Sequence, residues 1–397
     1  MKAAPGAQLP LDEIFGRDEF ISDLWRILDR NSVRMEAERR IGKTTILHKM
    51  CAEPADGWEA VYFDVEAIRS ADEFAEVVCA KVLERFTYWK KQGHRLRDSL
   101  KNVRGATIGP LKFPEKLARP EGSWKALLTH AVEELVEQQK DVGKRVVFFF
   151  DELPWMVSAI ANPEYGDSPS AAAALLDVLR SLRQSPTTGQ GFRMVQCGSI
   201  GMHHVLDELH RHGYRNKPVN DLMLVEVPPL DAAAASDLAC RLLSGEQLTA
   251  DATVAGLVAE RTGGFPFYIH SVVSRLTVAG SPATVAGVDA AVNWLLTTAL
   301  DPCDLRHFSR RIGSYFPPTE AKIVLALLDH AAVAQVGVEM RELQNVAKSA
   351  GNVDNEVVRD VLRRLTLDHY LTRDVDGRYA FRHALVRRWW VLDRGVS

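Results

Sequence analysis

The stretch that decides the fold of this chain is Ala37-Glu38-Arg39-Arg40-Ile41-Gly42-Lys43-Thr44-Thr45. It follows a short β-prone run, Ser32-Val33-Arg34-Met35, and continues into a segment with helical character, Ile46-Leu47-His48-Lys49-Met50. A strand, a tight loop and a helix N-terminus direct successive backbone N–H groups and the positive end of a helix dipole onto an anion. The stretch therefore predicts a phosphate-binding loop, in which Lys43 reaches the β- and γ-phosphates of a nucleotide and Thr44 ligates Mg²⁺.

Two features weaken this pattern when it is taken alone. The triplet Gly42-Lys43-Thr44 is short enough to occur by chance in many chains of this length. The pattern also asks for glycine where this chain has Ala37, and only glycine takes a positive φ freely. We therefore expect a backbone cost at Ala37, and Glu38 adds a negative charge close to the predicted phosphate site. Both leave the affinity for nucleotide and the turnover open.

A second motif lies further along the chain, where the apolar run Val146-Val147-Phe148-Phe149-Phe150 ends in Asp151-Glu152. Such a run is typical of a fully buried central parallel strand, and α/β sheets place their ligands at the carboxyl ends of strands. Asp151 is therefore predicted to hold the magnesium, and Glu152 to polarise the attacking water as a general base. The alternative is a buried strand that ends in two solvated acids.

Later strands supply two further catalytic candidates. The predicted strand 192–197 ends in Gly198-Ser199, and a polar side chain at that strand end can sense the γ-phosphate or the attacking water, so Ser199 is a candidate for that role. Before a last core strand at 222–227, either Arg211 or Arg215 can supply a positive charge to the transferring phosphoryl group, and Arg215 is our candidate. A surface arginine is the alternative at each position.

Two segments outside the core are candidates for contact with the nucleotide base. Phe15-Gly16-Arg17 opens an amphipathic helix, and we predict that Phe15 and Gly16 contact adenine while Arg17 faces a phosphate or caps the fold. A surface turn is the alternative. After helices at 232–243 and 254–262, Gly264-Phe265-Pro266 begins another helix with proline in its first turn. Pro266 is predicted to touch the base, although ordinary helix-start chemistry explains the same residues.

The composition is that of an ordinary folded protein, with 46% hydrophobic and 25% charged residues. The formal net charge of −3 argues against a general polyanion binder, so any nucleic-acid role must be confined to one face. The five cysteines are scattered, and the histidines between 203 and 212 lack the spacing of metal ligands on a helix, so no metal is expected there. Since no apolar run is long enough to span a bilayer, the sequence predicts a cytoplasmic protein.

The last part of the chain has a different pattern. Helices predicted at 319–329, from 339 onward and at 355–367 precede a hairpin with a turn at Asp376-Gly377, which is typical of a winged helix. If it binds DNA, the candidate residues are arginines of the third helix and the wing: Arg359, Arg363, Arg364, Arg373 and Arg378. Interleaved acids make this positive surface modest, and many winged helices dock proteins instead. A basic, aromatic insertion at about 86–119 is another candidate for contact with nucleic acid or a subunit, with a solvated helix and hairpin as the alternative.

In this order the motifs resemble the archaeal-type ATPases of the AAA+ and signal-transduction (STAND) P-loop group, which are relatives of origin-recognition ATPases. The segments that carry the resemblance are Phe15-Gly16-Arg17-Asp18-Glu19, Arg39 to Thr44, Asp151-Glu152-Leu153-Pro154-Trp155, Gly198-Ser199, Gly264-Phe265-Pro266 and Phe381-Arg382 to Arg388-Trp389-Trp390. The resemblance implies an α/β fold: an AAA+-like parallel-sheet core at 1–228, a helical lid at 229–302 and a winged-helix domain at 303–397.

For function, the resemblance implies a switch that binds ATP and Mg²⁺ between core and lid and hydrolyses ATP slowly. Its nucleotide state would control assembly with itself, with protein partners or with DNA, in a mobile-element or antiviral setting. Pro266 stands where other AAA+ branches have a sensing arginine, which favours the STAND-like interpretation. The main alternative is a non-catalytic DNA- or protein-binding factor with a structural ATP. A nucleic-acid translocase is a weaker alternative, because helicase-specific motifs are not apparent.

Overall fold

The computed structural model describes residues 1–85, 123–351 and 353–396, so the predicted insertion at about 86–119 lies outside the described residues. The chain divides into two compact units. We call Glu19–Glu36 with Lys43–Val227 the sheet unit, and Met1–Asp18, Ala37–Gly42 and Pro228–Ser397 the helical unit. The phosphate-loop stretch is thus divided after Gly42. The division into core, lid and winged-helix domains stays a prediction.

The sheet unit alternates strands and helices. Its strands are β1 (Val33–Glu36), β2 (Trp58–Asp64), β3 (Arg145–Asp151), β4 (Phe192–Cys197) and β5 (Met223–Glu226). Its helices are α1 (Asp18–Leu28), α2 (Lys43–Ala52), α3 (Ala71–Arg85), α4 (Ser123–Asp141), α5 (Leu153–Ala161), α6 (Pro169–Gln184) and α7 (Met202–Arg211). The strands form one parallel sheet in the order β2-β3-β4-β1-β5. The predicted α/β fold with a parallel sheet is confirmed.

The apolar run before Asp151 forms the buried strand β3, as predicted. Phe148 contacts Phe63 of β2 and Phe192 of β4, each with ring centroids 5.0 Å apart. Burying each ring stabilises the sheet by about 2 kcal/mol. The register pairs Asp64 of β2 with Asp151 of β3, so the carboxyl ends of these strands lie at one edge of the sheet. The core therefore fixes the edge at which ligand-binding side chains are presented.

The helical unit contains the rest of the described α-helices and strands, and a 3₁₀ turn at Leu11–Glu13. Its helices are α8 (Ala232–Gly245), α9 (Ala252–Thr262), α10 (Pro266–Ala279), α11 (Val285–Thr297), α12 (His307–Tyr315), α13 (Pro318–Val333), α14 (Met340–Ala350), α15 (Asn355–Leu367) and α16 (Ala384–Arg394), and its strands are β6 (Leu371–Arg373) and β7 (Tyr379–Phe381). Strands β6 and β7 pair antiparallel after three helices, α13 to α15. This order is compatible with the predicted winged helix. None of the described helices combines the length and apolar character needed to cross a membrane.

Candidate nucleotide-binding site

The two predicted motifs meet in the sheet unit through one short hydrogen bond. Thr44, in the first turn of α2, donates its hydroxyl to Oδ2 of Asp151 at the end of β3 over 2.6 Å. Asp151 is buried, whereas Thr44 is exposed. A hydroxyl that donates to a carboxylate keeps its oxygen lone pairs for another partner. Thr44 and Asp151 therefore offer hard oxygen ligands of the kind that Mg²⁺ prefers, and the residues fit the predicted metal.

Two further side chains donate to Asp151, and sequence reasoning missed both. The hydroxyl of Tyr62 in β2 lies 3.1 Å from Oδ2, and the thiol of Cys197 at the end of β4 lies 3.0 Å from Oδ1. Burial, then the Asp151 carboxylate, raises the pKa of Tyr62 and also that of Cys197, so both groups remain protonated donors. The signal that could have identified them is strand parity. Tyr62 lies two residues before Asp64, which pairs with Asp151, and so shares its face of β2, while Cys197 ends the neighbouring strand β4.

Glu152 lies in an unusual backbone conformation beside this carboxylate. Its φ is 60°, in the left-handed region that a residue with a side chain enters at a cost of about 1–2 kcal/mol. Burial raises the pKa of Glu152, although hydrogen bonds from Ser199 and the charge of Lys43 oppose that rise. A carboxylate with a raised pKa is a better proton acceptor near neutral pH, which suits the predicted general base.

Ser199 holds Glu152 directly. Its backbone N–H and its hydroxyl both donate to Oε2 of Glu152, over 2.8 and 2.9 Å. The preceding residue has to be glycine, because a Cβ at Gly198 would lie 2.7 Å from Cδ of Pro154. The structure thus brings together Asp151, Glu152 and Ser199, while the sensing role of Ser199 stays a prediction.

In the loop before Gly42, the non-glycine residue with a strained, left-handed backbone is not the one that the sequence predicted. The loop residues with positive φ are Arg40, at 69°, and Gly42, at 98°, and Ala37 is not among them. The expected cost at Ala37 is therefore wrong. The left-handed conformation occurs three residues later, at Arg40, so a side chain at position 37 causes no strain of this kind. The conformational free-energy cost of about 1–2 kcal/mol therefore falls on Arg40.

Glu38 of this loop is buried in an ion-pair network of the helical unit. Its Oε1 lies 3.6 Å from Nη1 of Arg311 and 3.7 Å from Nε2 of His307, both on α12. Burial alone would raise the pKa of Glu38, but His307 and Arg311 lower it to about 2. Arg311 also reaches Asp368, after α15, over 3.7 Å. The Glu38 charge is therefore compensated within the helical unit.

The two loop arginines share one carboxylate. Arg39 lies 3.2 Å from Asp304, and Arg40 lies 3.9 Å from the same residue. Arg40 also stacks over the ring of Phe267, 4.2 Å from its centroid. Asp304 additionally binds Arg310 of α12 over 2.7 Å. Asp304 and Phe267 of the helical unit therefore contact arginine side chains of the stretch that the sequence predicts to bind phosphate.

Arg17 makes structural contacts within the helical unit, and its predicted contact with a phosphate stays a prediction. It is buried and donates to the main-chain oxygens of Pro228 and Ile41, over 2.7 and 2.9 Å. Burial lowers the pKa of Arg17 to about 10. Gly16 packs against α8, where an added Cβ would lie 2.7 Å from Cβ of Ala234. Arg17 thus caps the fold and holds the loop at Ile41.

The remaining candidates are Phe15, Thr45, Arg215 and Pro266. Phe15 lies under the guanidinium of Arg241, and Pro266 is the first residue of α10, as predicted. Their contact with a base stays a prediction, as does the contribution of Thr45. Arg215 is exposed after α7, and no described contact joins it to Asp151 or Glu152.

Each candidate arginine for DNA has a local partner. Arg359 pairs with Glu356, Arg363 with Asp360 over 2.8 Å, and Arg364 with both Asp360 and Glu320. On the hairpin, Arg378 pairs with Glu339 over 3.3 Å, and Arg373 donates to the main-chain oxygen of Gly377. A DNA phosphate would have to compete with these groups, and DNA binding stays a prediction.

Two solved structures are similar to this chain over nearly its whole length. A Walker-type ATPase of Pyrococcus abyssi is 15% identical, with a TM-score of 0.60, and the alignment covers 96% of each chain. The ORC2 protein of Aeropyrum pernix, solved as ADPNP–ADP complexes, is 12% identical, with a TM-score of 0.52, and the alignment covers 96% of this chain and 95% of that one. No protein-family model matches the chain, and no curated protein matches it by sequence.

At these identities the likeness concerns the fold. It agrees with the parallel five-stranded sheet and its surrounding helices in the described part of this chain. The resemblance deduced from the sequence motifs is confirmed at that level: the chain has the α/β fold of the AAA+ P-loop ATPases.

Proposed function

We propose that this protein is an ATP-binding switch that hydrolyses ATP slowly and whose nucleotide state controls assembly with itself, with protein partners or with DNA. The observation that carries the proposal is the hydrogen bond of 2.6 Å between Thr44 and Asp151, with Glu152 adjacent and held by Ser199. This set unites the predicted metal ligands and the predicted base at the carboxyl edge of a parallel sheet, where such folds bind ligands. The Aeropyrum pernix protein of the same fold was solved with ADPNP and ADP.

Each residue of this set has a defined task in hydrolysis. Lys43, at the start of α2, binds phosphate oxygens, and Thr44 and Asp151 hold Mg²⁺. When bound, Mg²⁺ neutralises charge on the phosphate oxygens. Glu152 orients a water through Oε1, since Ser199 occupies Oε2. The water oxygen bonds to the γ-phosphorus, the bond to the β–γ bridging oxygen breaks, and Glu152 accepts the water proton, leaving ADP and phosphate.

The regulatory part of the proposal is supported by the partners of the loop. Glu38 binds Arg311, Arg39 and Arg40 bind Asp304, and the main-chain oxygen of Ile41 binds Arg17. A phosphate group is a stronger anionic partner for arginine than one shared carboxylate. Nucleotide that attracts Arg39 and Arg40 therefore weakens their hold on Asp304 and changes the contacts of the segment that precedes α12.

The test is hydrolysis and binding of ATP by Glu152→Gln. Gln keeps the shape of the side chain and removes the base, so turnover should fall by about 10²- to 10⁴-fold while binding of a fluorescent ATP analogue is retained. Lys43→Ala should lose binding itself. Release of phosphate is measured with and without DNA, alongside the particle size with ATP and with ADP.

Two results would contradict the proposal. If the wild-type protein releases no phosphate under any of these conditions and Glu152→Gln behaves in the same way, the hydrolytic role is rejected. If that protein still binds ATP, the non-catalytic factor becomes the correct description. A particle size that is the same with ATP, with ADP and without nucleotide rejects control of self-assembly.

A further inference from the structure

We propose that Tyr62 and Cys197 are positioning residues that set the orientation of the Asp151 carboxylate for the metal. The inference rests on the proposed Mg-ATP site and deepens it. Neither residue touches the nucleotide in this proposal. Each acts through Asp151, Tyr62 on Oδ2 and Cys197 on Oδ1.

The donors to Asp151 come from three different elements. Thr44 reaches Oδ2 from α2, Tyr62 reaches the same oxygen from β2, and Cys197 reaches Oδ1 from β4. An ionised carboxylate has about four lone-pair sites, so three donors leave about one for another partner. Because the donors approach both oxygens, the carboxylate cannot rotate without breaking a hydrogen bond. The remaining lone-pair site of the Asp151 carboxylate therefore points in a fixed direction.

The two positioning side chains are themselves held. The ring of Tyr62 packs against His48 of α2 with centroids 4.3 Å apart, and Nζ of Lys81 of α3 lies 5.8 Å from the ring centroid. Cys197 is buried at the end of a strand in the middle of the sheet. Partners that orient a metal ligand work only if their own geometry is fixed, and losing one typically lowers metal affinity or activity by about 10- to 100-fold.

The competing explanation is that both hydrogen bonds only stabilise the fold. The two explanations differ in what they predict for the metal. A structural role lowers stability and leaves the metal requirement unchanged, whereas a positioning role weakens metal binding and leaves metal-independent binding of nucleotide unchanged. The chain supplies matched controls. Tyr214 donates its hydroxyl to Asp177 over 2.8 Å, and Cys51 donates its thiol to the main-chain oxygen of Ala60 over 3.5 Å, both in the same unit.

The experiment measures binding of Mn²⁺, by electron paramagnetic resonance, to full-length protein saturated with a non-hydrolysable ATP analogue. Tyr62→Phe and Cys197→Ala should each raise the Mn²⁺ concentration for half-saturation by about tenfold or more, in keeping with the loss of one such partner. Binding of a fluorescent ATP analogue in EDTA should stay within about twofold of wild type. Cys197→Ser, which restores a donor, should recover most of the metal affinity. Tyr214→Phe and Cys51→Ala should leave it unchanged.

The outcomes separate this inference from the proposed function. If wild type binds Mn²⁺ with the analogue and both variants match it, the hydrogen bonds are structural, and the inference is overturned while the function stands. If Cys197→Ala loses its fold, Cys197→Ser and Tyr62→Phe still decide between the two explanations. Wild type that binds no analogue, with or without metal, rejects the proposed function and this inference together.

Discussion

Two regions of the molecule, the loop at 38–40 and the acids at the end of β3, are stabilised by different chemistry. In the helical unit, Glu38, Arg39 and Arg40 of the loop are bound by charged groups, Arg311 and Asp304. In the sheet unit, Asp151 and Glu152 are held by hydroxyl, thiol and amide donors that carry no charge. A charged ligand can compete for the partners of an ion pair. It does not replace neutral hydrogen-bond donors that set the orientation of a carboxylate. Under the proposed function, the loop responds to nucleotide and the strand ends carry out the chemistry.

The largest effect is expected from breaking the buried ion pair. Arg311→Met leaves the Glu38 charge buried without its arginine, and removing one partner of a buried pair destabilises by about 3–5 kcal/mol. The expected result is a lower free energy of unfolding, measured by urea denaturation of the full chain. Glu38→Gln combined with Arg311→Met should recover part of the loss, because the buried Glu38 charge is then gone, while Asp368 still lacks Arg311.

The pH dependence gives a second test of the same pair. The pKa of Glu38 is lowered to about 2 from an ordinary value of 4.5, so its ionisation contributes stability that is present above pH 4.5 and is lost as the pH falls towards 2. Arg311→Met should raise the pKa of Glu38 and shrink this contribution. A denaturation midpoint that is unchanged in Arg311→Met, at pH 7 and at pH 4, would contradict a stabilising pair.

An intermediate effect is expected at the strand ends. Ser199→Ala removes the hydroxyl bond to Glu152 but keeps the backbone one, and a hydrogen bond to a charged group contributes about 1.5–3 kcal/mol. Turnover should therefore fall by about 10- to 100-fold. Since the Ser199 bonds lower the pKa of Glu152, the variant should have a higher pKa there, and its activity should need a higher pH.

The control for this change is Ser199→Thr, which keeps a hydroxyl and should retain most of the turnover. The measurement is the pH profile of phosphate release for the wild type and both variants. A Ser199→Ala profile that falls in height without moving along the pH axis would show that Ser199 does not act on the base through this bond.

Local patterns predicted the sheet, its acids, Thr44 and Ser199, but not Tyr62 and Cys197, which donate to Asp151. The apolar run before Asp151 is a property of adjacent residues, so β3 and its end could be identified from the sequence. Cys197 reaches Asp151 only because β4 pairs with β3, and the residues of the two segments do not by themselves predict that these strands are neighbours. The glycine rule likewise placed the backbone cost at Ala37, whereas the fold puts the left-handed turn at Arg40.

The smallest effect is expected from the exposed pairs of the loop. Asp304→Asn removes the carboxylate that binds Arg39 and Arg40, and partly exposed ion pairs are typically worth about 0.2–1 kcal/mol each. If phosphate competes with Asp304 for these arginines, the variant should bind ATP about two- to fivefold more tightly, with the difference shrinking at high salt.

The matched control is Asp289→Asn, which breaks a partly exposed ion pair between α11 and Arg261 of α9. It should leave the affinity for ATP unchanged, measured by titration of a fluorescent analogue at low and high ionic strength. Weaker binding by Asp304→Asn would mean that Asp304 arranges the loop for nucleotide instead of competing with it. The loop would then be a preformed part of the site, and the contrast between a responsive loop and fixed strand ends would be wrong.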